Sequence, residues 1–439
     1  MDATAPPLAA AQHPILRREL DLLDAVGVGL GAIIGAGIFV VTGLAAEAAG
    51  PAFVVGLLLA GVAALCNALS SAELAAHYPQ AGGTYEYGYR LLHPLLGFSA
   101  GWMFLASKLA AGGTVALGFG GYLAQLLPVV PARGAAVAAV LLLLAANWFG
   151  IKKVGRLNFV VVSVTLAALG YFIVGGLPAF RVEHFKPFAP HGWSGIAEAA
   201  ALLFFAYTGY ARLATLGEEV RDPARTIPRA ILITVLVSAV LYLAVGVVAV
   251  GAVGAGALAG QAAPLEEAAR ASALPGCDIV VAVGATTAML GVLLSQMLGI
   301  SRMLFALGRR GDLPACFAWV HPRHGVPGVG ILLTGAIVLL LSLVGTLTWI
   351  VSAVAFTILL YYGITNLAAL HLPPEQKRYP RVVAWLGLAC CILLGLSLRV
   401  EVIGAGLALL VLGHLPRWLW RGVAALQSAT GTGTGTGYI

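Results

Sequence analysis

Charged residues are scarce in this chain: they make up only 10% of its 439 residues, against about 25% in a typical soluble domain. Hydrophobic residues make up 60%, and the mean hydropathy is +0.96. A chain of this composition cannot cover its folded surface with polar groups. The shortage of charge therefore excludes a soluble enzyme, a nucleic-acid-binding protein and a disordered scaffold, and it predicts an all-α integral membrane protein.

Cysteine and recognisable ligand motifs are also rare. The five cysteines are too few and too scattered for a disulfide framework, and no CxxC or Cys–His spacing predicts a metal site. The chain has no GxxxxGK[ST] motif that would bind nucleotide phosphates. The sequence therefore predicts no ATP use, no bound metal and no cofactor, with a coupling proton or Na⁺ as the only candidate ion.

Long apolar stretches fill most of the chain, and a membrane-spanning helix needs about 20 mostly apolar residues. Twelve candidate spans follow one another at residues 24–47, 52–77, 95–127, 134–150, 157–178, 193–217, 229–254, 278–308, 327–344, 347–371, 382–397 and 400–416. Residues 1–23 form a polar N-terminal segment without the order of a signal peptide. Residues 417–439 form a tail that ends in a low-complexity GTGTGTG run.

Basic residues orient these spans. With the N-terminus in the cytoplasm, 18 of the 25 lysines and arginines fall in cytoplasmic segments and five fall outside, while Lys108 and Arg212 lie within spans. Because cytoplasmic loops carry an excess of Lys and Arg, this asymmetry supports an even number of spans. We expect a multi-pass protein of the plasma membrane with both termini in the cytoplasm.

Glycine marks a candidate break in the first span. Gly31, Gly35 and Gly37 fall within seven residues, and each weakens a helix by about 1 kcal/mol relative to Ala. Unwound backbone is tolerated at membrane depth only where it lines a cavity or is buried in protein. The alternative is that these glycines only let two helices pack closely.

The sixth span contains a second candidate break, at Gly209 among aromatic and hydroxyl side chains. The first and sixth spans each open a set of five, and because five is odd, the second set is inverted relative to the first. Interrupted helices at matching positions of two halves point to a transporter binding site. The sequence thus predicts one repeat over residues 24–178, a second over 193–371, and two extra helices over 382–416.

Several segments resemble the amino acid–polyamine–organocation superfamily, and in particular the bacterial relatives of cationic amino acid transporters. They are GAIIGAGIFVVTG (31–43), AELAAHYPQAGGTYEYGYR (72–90), GFSAGW (97–102), FFAYTGYARLATLGEEVRDPARTIPRAI (204–231) and SRMLFALGRRGDLP (301–314). The resemblance covers about residues 20–330. It implies the five-plus-five inverted-repeat fold of the leucine-transporter type, and secondary transport of amino acids by alternating access.

The resemblance also implies where an amino acid substrate would bind. Its carboxylate would lie on the backbone of Gly35, Ala36 and Gly37, and its ammonium group on the carbonyls of Ile33, Phe205 and Thr208. A helix N-terminus favours an anion and free carbonyls favour a cation, so the physics agrees. Phe205 corresponds to the family's aromatic gate; its alternative role is an ordinary aromatic in a helix interface. Tyr207 and Gly209 flank the second break and are further gating candidates.

Two basic residues within spans are candidates for coupling or pathway electrostatics. Lys108 must face a wet cavity, pair with an acid or lose its proton, and a purely structural ion pair is an equal alternative. Arg212 follows the second break and has three interpretations: pairing with Glu218 or Glu219, contact with an acidic substrate, or snorkelling to the interface. Pairing ranks first, and Arg212 makes a strongly cationic substrate less favourable.

Hydroxyl groups raise the question of the driving ion. Proton-coupled members of the superfamily often carry a lysine in the fifth span, and the corresponding position here is Thr165. Thr286 and Thr287 in the eighth span fall where sodium-coupled members offer hydroxyls. The alternative is that these threonines bond carbonyls of their own helices. Proton coupling or exchange is therefore favoured over sodium coupling.

The sequence predicts a secondary transporter that takes up amino acids, with a proton symporter favoured over an exchanger. A channel is a weaker alternative, because no filter loop or ring of charges is present. A membrane-embedded enzyme would need catalytic groups clustered at one depth, which the sequence lacks. The expected partners are an amino acid substrate and the lipid bilayer, with no nucleic acid and no obligate protein partner.

Overall fold

The computed structural model describes residues 20–78, 82–149, 154–215 and 220–429. These residues are helical with no β-strand; the one β-type contact among them is an isolated parallel bridge between Leu20 and Val220. The helices are α1 (Leu22–Ile33), α2 (Ala36–Ala49), α3 (Phe53–His77), α4 (Thr84–Leu91), α5 (Pro94–Leu126), α6 (Ala132–Trp148), α7 (Val154–Gly176), α8 (Gly192–Tyr207), α9 (Pro223–Val253), α10 (Ala255–Leu258), α11 (Pro264–Ala269), α12 (Cys277–Arg310), α13 (Gly328–Val344), α14 (Leu347–Leu370), α15 (Arg381–Leu396) and α16 (Val400–Ala429).

Each predicted span lies on one of these helices or on a broken pair. Six helical stretches of the described chain are long and apolar enough to cross a membrane, and the first of them, Leu22–His77, holds α1, α2 and α3. At 1.5 Å per residue, the 17-residue helices α6 and α13 are each only about 25 Å long. The all-helical membrane architecture is confirmed, whereas the number of twelve spans and the inverted repeat stay predictions.

The end of the chain differs from the predicted spans. Helix α15 and residues Val400–Leu415 of α16 are together long and apolar enough for one broken span, and the two helices are bent by 115° at the short break between them. Helix α16 also continues to Ala429, so the segment predicted as a tail from residue 417 begins as helix. Residues 430–439, with the GTGTGTG run, lie outside the described part of the chain.

Local signals explain several helix ends. Asp21 caps α1 in a capping box: its carboxylate accepts the backbone N–H of Asp24, and the Asp24 carboxylate accepts the backbone N–H of Asp21. Helices α5 and α9 both begin with proline, which needs no N–H partner at that position. Helix α12 ends at Gly311, whose φ of +76° favours glycine.

Helices α2 and α8 occupy the centre of the molecule. Residues 36–46 of α2 and 199–207 of α8 are all buried, and the two helices pack against each other. Helix α3 packs against α8 and α9, while α5 packs against α12 and α14. Large apolar side chains stay exposed on outer helices such as α6, α13 and α15, as expected where lipid covers them. The fold thus buries both predicted breaks in protein.

Candidate functional site

The first break lies where the glycine pattern predicts it. Helix α1 ends at Ile33, Ile34 and Gly35 are non-helical, and α2 starts at Ala36. Gly35 has extended backbone with φ of −168°. Its Cα faces Val292 of α12, since a methyl group added at Gly35 would lie 2.8 Å from Val292 Cγ2. The first break therefore packs against α12 at Val292.

The second break follows Tyr207, the last residue of α8. The chain continues as a tighter 3₁₀ helix over Thr208–Thr215. A change from α to 3₁₀ hydrogen bonding frees backbone carbonyls that an unbroken α-helix would use. Glu218 and Glu219, the predicted partners of Arg212, lie outside the described residues.

The two breaks touch each other. A methyl group added at Gly37 would overlap the backbone of Ala206, and one added at Gly209 would overlap the carbonyl of Ala32. Only glycine allows the two backbones this close approach. The predicted backbone ligands of both broken helices are therefore brought together in one buried place.

The start of α2 offers backbone N–H groups. Gly35 makes no side-chain cap bond, and within the described part of the chain no side chain caps this helix start. The first N–H groups of a helix have no intrahelical partner and carry partial positive charge. Gly35, Ala36 and Gly37 are therefore placed where a carboxylate could accept hydrogen bonds.

Hydroxyl groups already bond the three carbonyls predicted to hold an ammonium group. The Tyr242 hydroxyl donates to the Ile33 carbonyl at 2.9 Å. The Thr208 hydroxyl donates to the Phe205 carbonyl at 2.9 Å, and the Tyr362 hydroxyl donates to the Thr208 carbonyl at 3.3 Å. A carbonyl oxygen has two lone pairs. That of Phe205 uses both, because it also accepts the backbone N–H of Thr208.

Aromatic rings surround the second break. The side chain of Phe205 is 7% exposed. Its neighbour Phe204 packs edge-on against Tyr362, with ring centroids 5.7 Å apart. The ring of Tyr207 packs against Tyr242 at 5.2 Å, and its hydroxyl donates to the Leu57 carbonyl of α3 at 3.2 Å. Gating by Phe205 or Tyr207 stays a prediction, because both side chains are also ordinary interface aromatics.

Lys108 and Arg212 lie on the predicted cytoplasmic side of the breaks. Arg212 Nη1 donates to the Ser295 carbonyl at 3.1 Å, and Ser295 is about 4.5 Å farther along α12 than Val292. The ammonium of Lys108 lies 5.5 Å from the ring centroid of Phe104 and close enough to Arg212 for charge repulsion. No carboxylate of the described residues pairs with Lys108. The two basic side chains therefore lie on the same side of the breaks.

Two of the candidate sodium ligands bond carbonyls of their own helices. Thr165 Oγ1 donates to the Val161 carbonyl at 2.7 Å, and Thr286 Oγ1 donates to the Ala282 carbonyl at 2.8 Å, each in its own helix. Val292, not Thr286 or Thr287, lies opposite Gly35. A cation site that joins these hydroxyls to the first-helix carbonyls stays a prediction. The observed bonds of Thr165 and Thr286 are those of the alternative, in which each threonine bonds a carbonyl of its own helix.

A buried polar cluster, the Asp312 cluster, joins α4, the end of α12 and α16. Asp312 is fully buried; its carboxylate accepts hydrogen bonds from the hydroxyls of Tyr85 at 2.5 Å and Tyr89 at 2.6 Å, and from Arg417 Nε at 3.1 Å. Burial raises the pKa of the Tyr85 hydroxyl, and so does its bond to Asp312. No local sequence pattern predicts this cluster; its one signal is an aspartate directly after the buried end of α12.

An ion-pair network with Glu86 lies beside the Asp312 cluster. Glu86 of α4 bonds Arg90 at 2.6 Å and also bonds Arg310 of α12. Burial alone would raise the pKa of the Glu86 carboxyl, but the hydrogen bonds from the two arginines outweigh burial and hold that pKa below 4.5. Glu86 is therefore a fixed anion that ties α4 to α12.

Helix α4 is also linked to the second break. The hydroxyls of Thr84 and Thr365 are 2.7 Å apart. The Tyr361 ring packs against that of Tyr362 at 5.0 Å, and Tyr362 in turn bonds the Thr208 carbonyl. The sequence analysis missed Tyr242 and Tyr362, whose signal is a tyrosine within an apolar span that needs a hydrogen-bond partner.

An open pocket of about 480 Å³ lies apart from the breaks, on the predicted outer side. Its polar lining includes Glu47, Glu183, His184, Lys186 and His191. Both histidines bond backbone carbonyls, His184 that of Gly251 and His191 that of Ala48. This pocket borders the loop between α7 and α8, and it contains none of the predicted substrate ligands.

Comparisons of the sequence with known proteins identify a family. The sequence model of the family described as amino acid permease matches residues 24–414. An uncharacterized transporter of Mycobacterium tuberculosis is 42% identical over 91% of this chain and 90% of its own length. In Bacillus subtilis, the branched-chain amino acid permease BcaP is 30% identical over 94% of this chain and 95% of its own, and a methylthioribose transporter is 30% identical over 94% and 91%.

Proposed function

Because the chain belongs to the amino acid permease family, within the amino acid–polyamine–organocation superfamily, we propose that it is a secondary active transporter of amino acids in the plasma membrane. The observation that carries the proposal is the contact between two broken helices in the buried centre of the molecule. A break of this kind exposes backbone amides and carbonyls at membrane depth, where they can replace the water around a zwitterion.

The backbone holds the part that all amino acids share. The backbone N–H groups of Gly35, Ala36 and Gly37 donate hydrogen bonds to the carboxylate, and the carbonyls of Ile33, Phe205 and Thr208 accept them from the ammonium group. At Phe205 the ammonium group replaces one of the two bonds from Thr208. The side chain of the substrate is left to the surrounding helices, so one backbone site serves several amino acids. No covalent reaction takes place, and the protein is a transporter rather than an enzyme.

Alternating access follows from the breaks. On the predicted cytoplasmic side, α1 and the 3₁₀ segment Thr208–Thr215 form the inner halves of the broken helices, and α2 and α8 form the outer halves. The Arg221 N–H donates to the Leu20 carbonyl at 2.9 Å and joins the start of α1 to the chain before α9. The Asn158 amide of α7 also donates to the Gly27 carbonyl of α1 at 3.1 Å. Release of both bonds, with separation of α1 from α7 and α9, would let the inner half of the first helix swing away from the site.

Proton coupling is the proposed driving mode, with Lys108 as the candidate proton carrier. Its amine is near Arg212 and has no carboxylate partner among the described residues. Its protonation is therefore sensitive to the positive charge of a substrate ammonium group bound nearby. Exchange of one amino acid for another is the first alternative. Sodium coupling through Thr165, Thr286 and Thr287 is the second, and the self-bonded hydroxyls weigh against it.

A second substrate class has a specific observation in its favour. The methylthioribose transporter matches as much of this chain as BcaP does, at the same identity. A sugar has no carboxylate or ammonium group, so its hydroxyls would have to use the same backbone donors and acceptors. The substrate assay therefore includes methylthioribose as a competitor.

The test is uptake of labelled amino acids by liposomes that contain the purified protein. Three conditions are compared: an inward proton gradient, an inward sodium gradient, and unlabelled amino acid inside without an ion gradient. We expect uptake that is driven by the proton gradient and abolished by an added protonophore, which collapses that gradient. Uptake only against internal amino acid would establish an exchanger, and sodium-dependent uptake would establish a sodium symporter. Folded protein that transports no amino acid under any condition would refute the amino acid proposal.

A further inference from the structure

We propose that Tyr242 is a positioning residue that joins the two chain breaks, and that substrate binding depends on its hydroxyl. The proposal rests on the function proposed above and concerns the same site. Tyr242 belongs to α9, which is neither of the broken helices. Its hydroxyl donates to the Ile33 carbonyl at 2.9 Å and to the Ala206 carbonyl at 3.2 Å.

The geometry makes this hydroxyl a link between the two breaks. Ile33 is the last residue of α1, and Ala206 is next to the last residue of α8. A tyrosine hydroxyl has a single proton, so the two carbonyls share one donor. Both carbonyl oxygens must therefore point at the same atom, which fixes the orientation of one broken end relative to the other.

The breaks need such a donor for an electrostatic reason. Two carbonyl oxygens that converge in a buried place repel each other, and a buried carbonyl without a donor is costly. A bound cation could compensate them, as could a hydroxyl supplied by the protein. Tyr242 supplies it from a side chain that is fully buried and held by ring contact with Tyr207 at 5.2 Å. The carbonyls are thus ordered before a substrate arrives.

Tyr122 provides a contrast within the same molecule. It is also fully buried, and its hydroxyl donates to the Phe39 carbonyl of α2 at 2.7 Å and accepts the Leu265 N–H at 3.3 Å. Phe39 lies inside the regular part of α2, so this bond supports packing but orients no residue of either break. Tyr122→Phe is therefore a matched control for Tyr242→Phe, with the same atom removed and two hydrogen bonds lost in each case.

The experiment measures the dissociation constant and the melting temperature of the purified full-length protein and of both variants. Each of the twenty standard amino acids is first tested for binding to the wild type, and the tightest one serves as the probe. We expect Tyr242→Phe to raise the dissociation constant at least tenfold and Tyr122→Phe to change it less than twofold, with similar falls in melting temperature. A purely structural role would give equal dissociation constants in the two variants.

Two results would overturn the proposal: Tyr242→Phe that binds the probe within twofold of wild type, or equal losses of binding in both variants. If Tyr242→Phe does not fold, 3,5-difluorotyrosine at position 242 keeps the hydroxyl and changes its acidity. The proposal then requires at least a threefold change in the dissociation constant, and no change would overturn it. Failure of the wild type to bind any amino acid is a separate result, because it refutes the proposed function itself.

Discussion

Replacement of Arg417 by methionine tests the Asp312 cluster. The ion pair has a side-chain exposure of 6% for Arg417 and 0% for Asp312. Methionine fills a similar volume but removes the cation. It leaves a buried carboxylate with the hydroxyls of Tyr85 and Tyr89 among its donors, and hydroxyl dipoles cannot neutralise a full charge.

The expected loss of stability follows from burial. Breaking a buried ion pair by removing one partner costs about 3–5 kcal/mol. For domains of 150–250 residues, each kcal/mol lowers the melting temperature by about 2–4 °C. This chain is longer, and the effect per kcal/mol falls with length, so we expect a decrease of roughly 5 °C for Arg417→Met.

The assay is thermal unfolding of detergent-solubilised protein at pH 7 and one fixed heating rate. The control is Arg225→Met, which breaks the exposed pair with Asp222, 3.8 Å apart, at side-chain exposures of 77% and 57%. Exposed pairs contribute about 0–1 kcal/mol, so the control should melt within about 1 °C of wild type. The double variant Asp312→Asn with Arg417→Met removes both charges and should melt higher than Arg417→Met alone. Equal melting temperatures for Arg417→Met and Arg225→Met would refute the reasoning.

Three further predictions concern the breaks, the proton path and α4. Gly209→Ala places a methyl group on the backbone of Ala32 and should abolish uptake, whereas Gly170→Ala, with open space at its Cβ, should leave uptake unchanged; equal uptake would contradict the close contact. Lys108→Met should abolish accumulation driven by a proton gradient while exchange of labelled for unlabelled substrate continues, and retained accumulation would remove Lys108 from the proton path. Glu86→Gln should lower the melting temperature at pH 7. The difference from wild type should shrink as the pH falls below 4.5, because the lowered pKa of Glu86 stabilises the folded state only while its carboxylate is ionised. A difference in melting temperature that stays constant down to pH 3.5 would show that the charge of Glu86 plays no part.

The sequence predicts much of the fold, because lipid imposes length and apolarity on every span. The break at Gly35 follows from the glycine pattern, and the turn at Gly345 and Thr346 separates α13 from α14 as expected. The relative directions of successive helices are less predictable. The predicted spans 382–397 and 400–416 place a break between α15 and α16 but do not give its angle of 115°, because apolar periodicity defines a helix but not its direction.

The candidate site is predictable only in its backbone part. Gly35 and Gly209 are visible as glycines in apolar spans, whereas Tyr242 and Tyr362 are far from them in sequence and meet the breaks only after α9 and α14 pack. Tertiary contact, not local pattern, decides which tyrosine meets which carbonyl. The same holds for Val292, whose contact with Gly35 is set by the packing of α12 against the first break.

The partners Asp312 and Arg417 are 105 residues apart in the chain, and this separation has a consequence for biosynthesis. At about 5–20 residues per second, a ribosome adds Arg417 roughly 5–20 s after Asp312. During that interval α4 and the end of α12 can meet, but the carboxylate between them has no arginine from α16. A nascent chain that stops short of residue 417 therefore lacks the ion pair between Asp312 and Arg417. Completion of α16 is thus required before α4, α12 and α16 can all pack around Asp312.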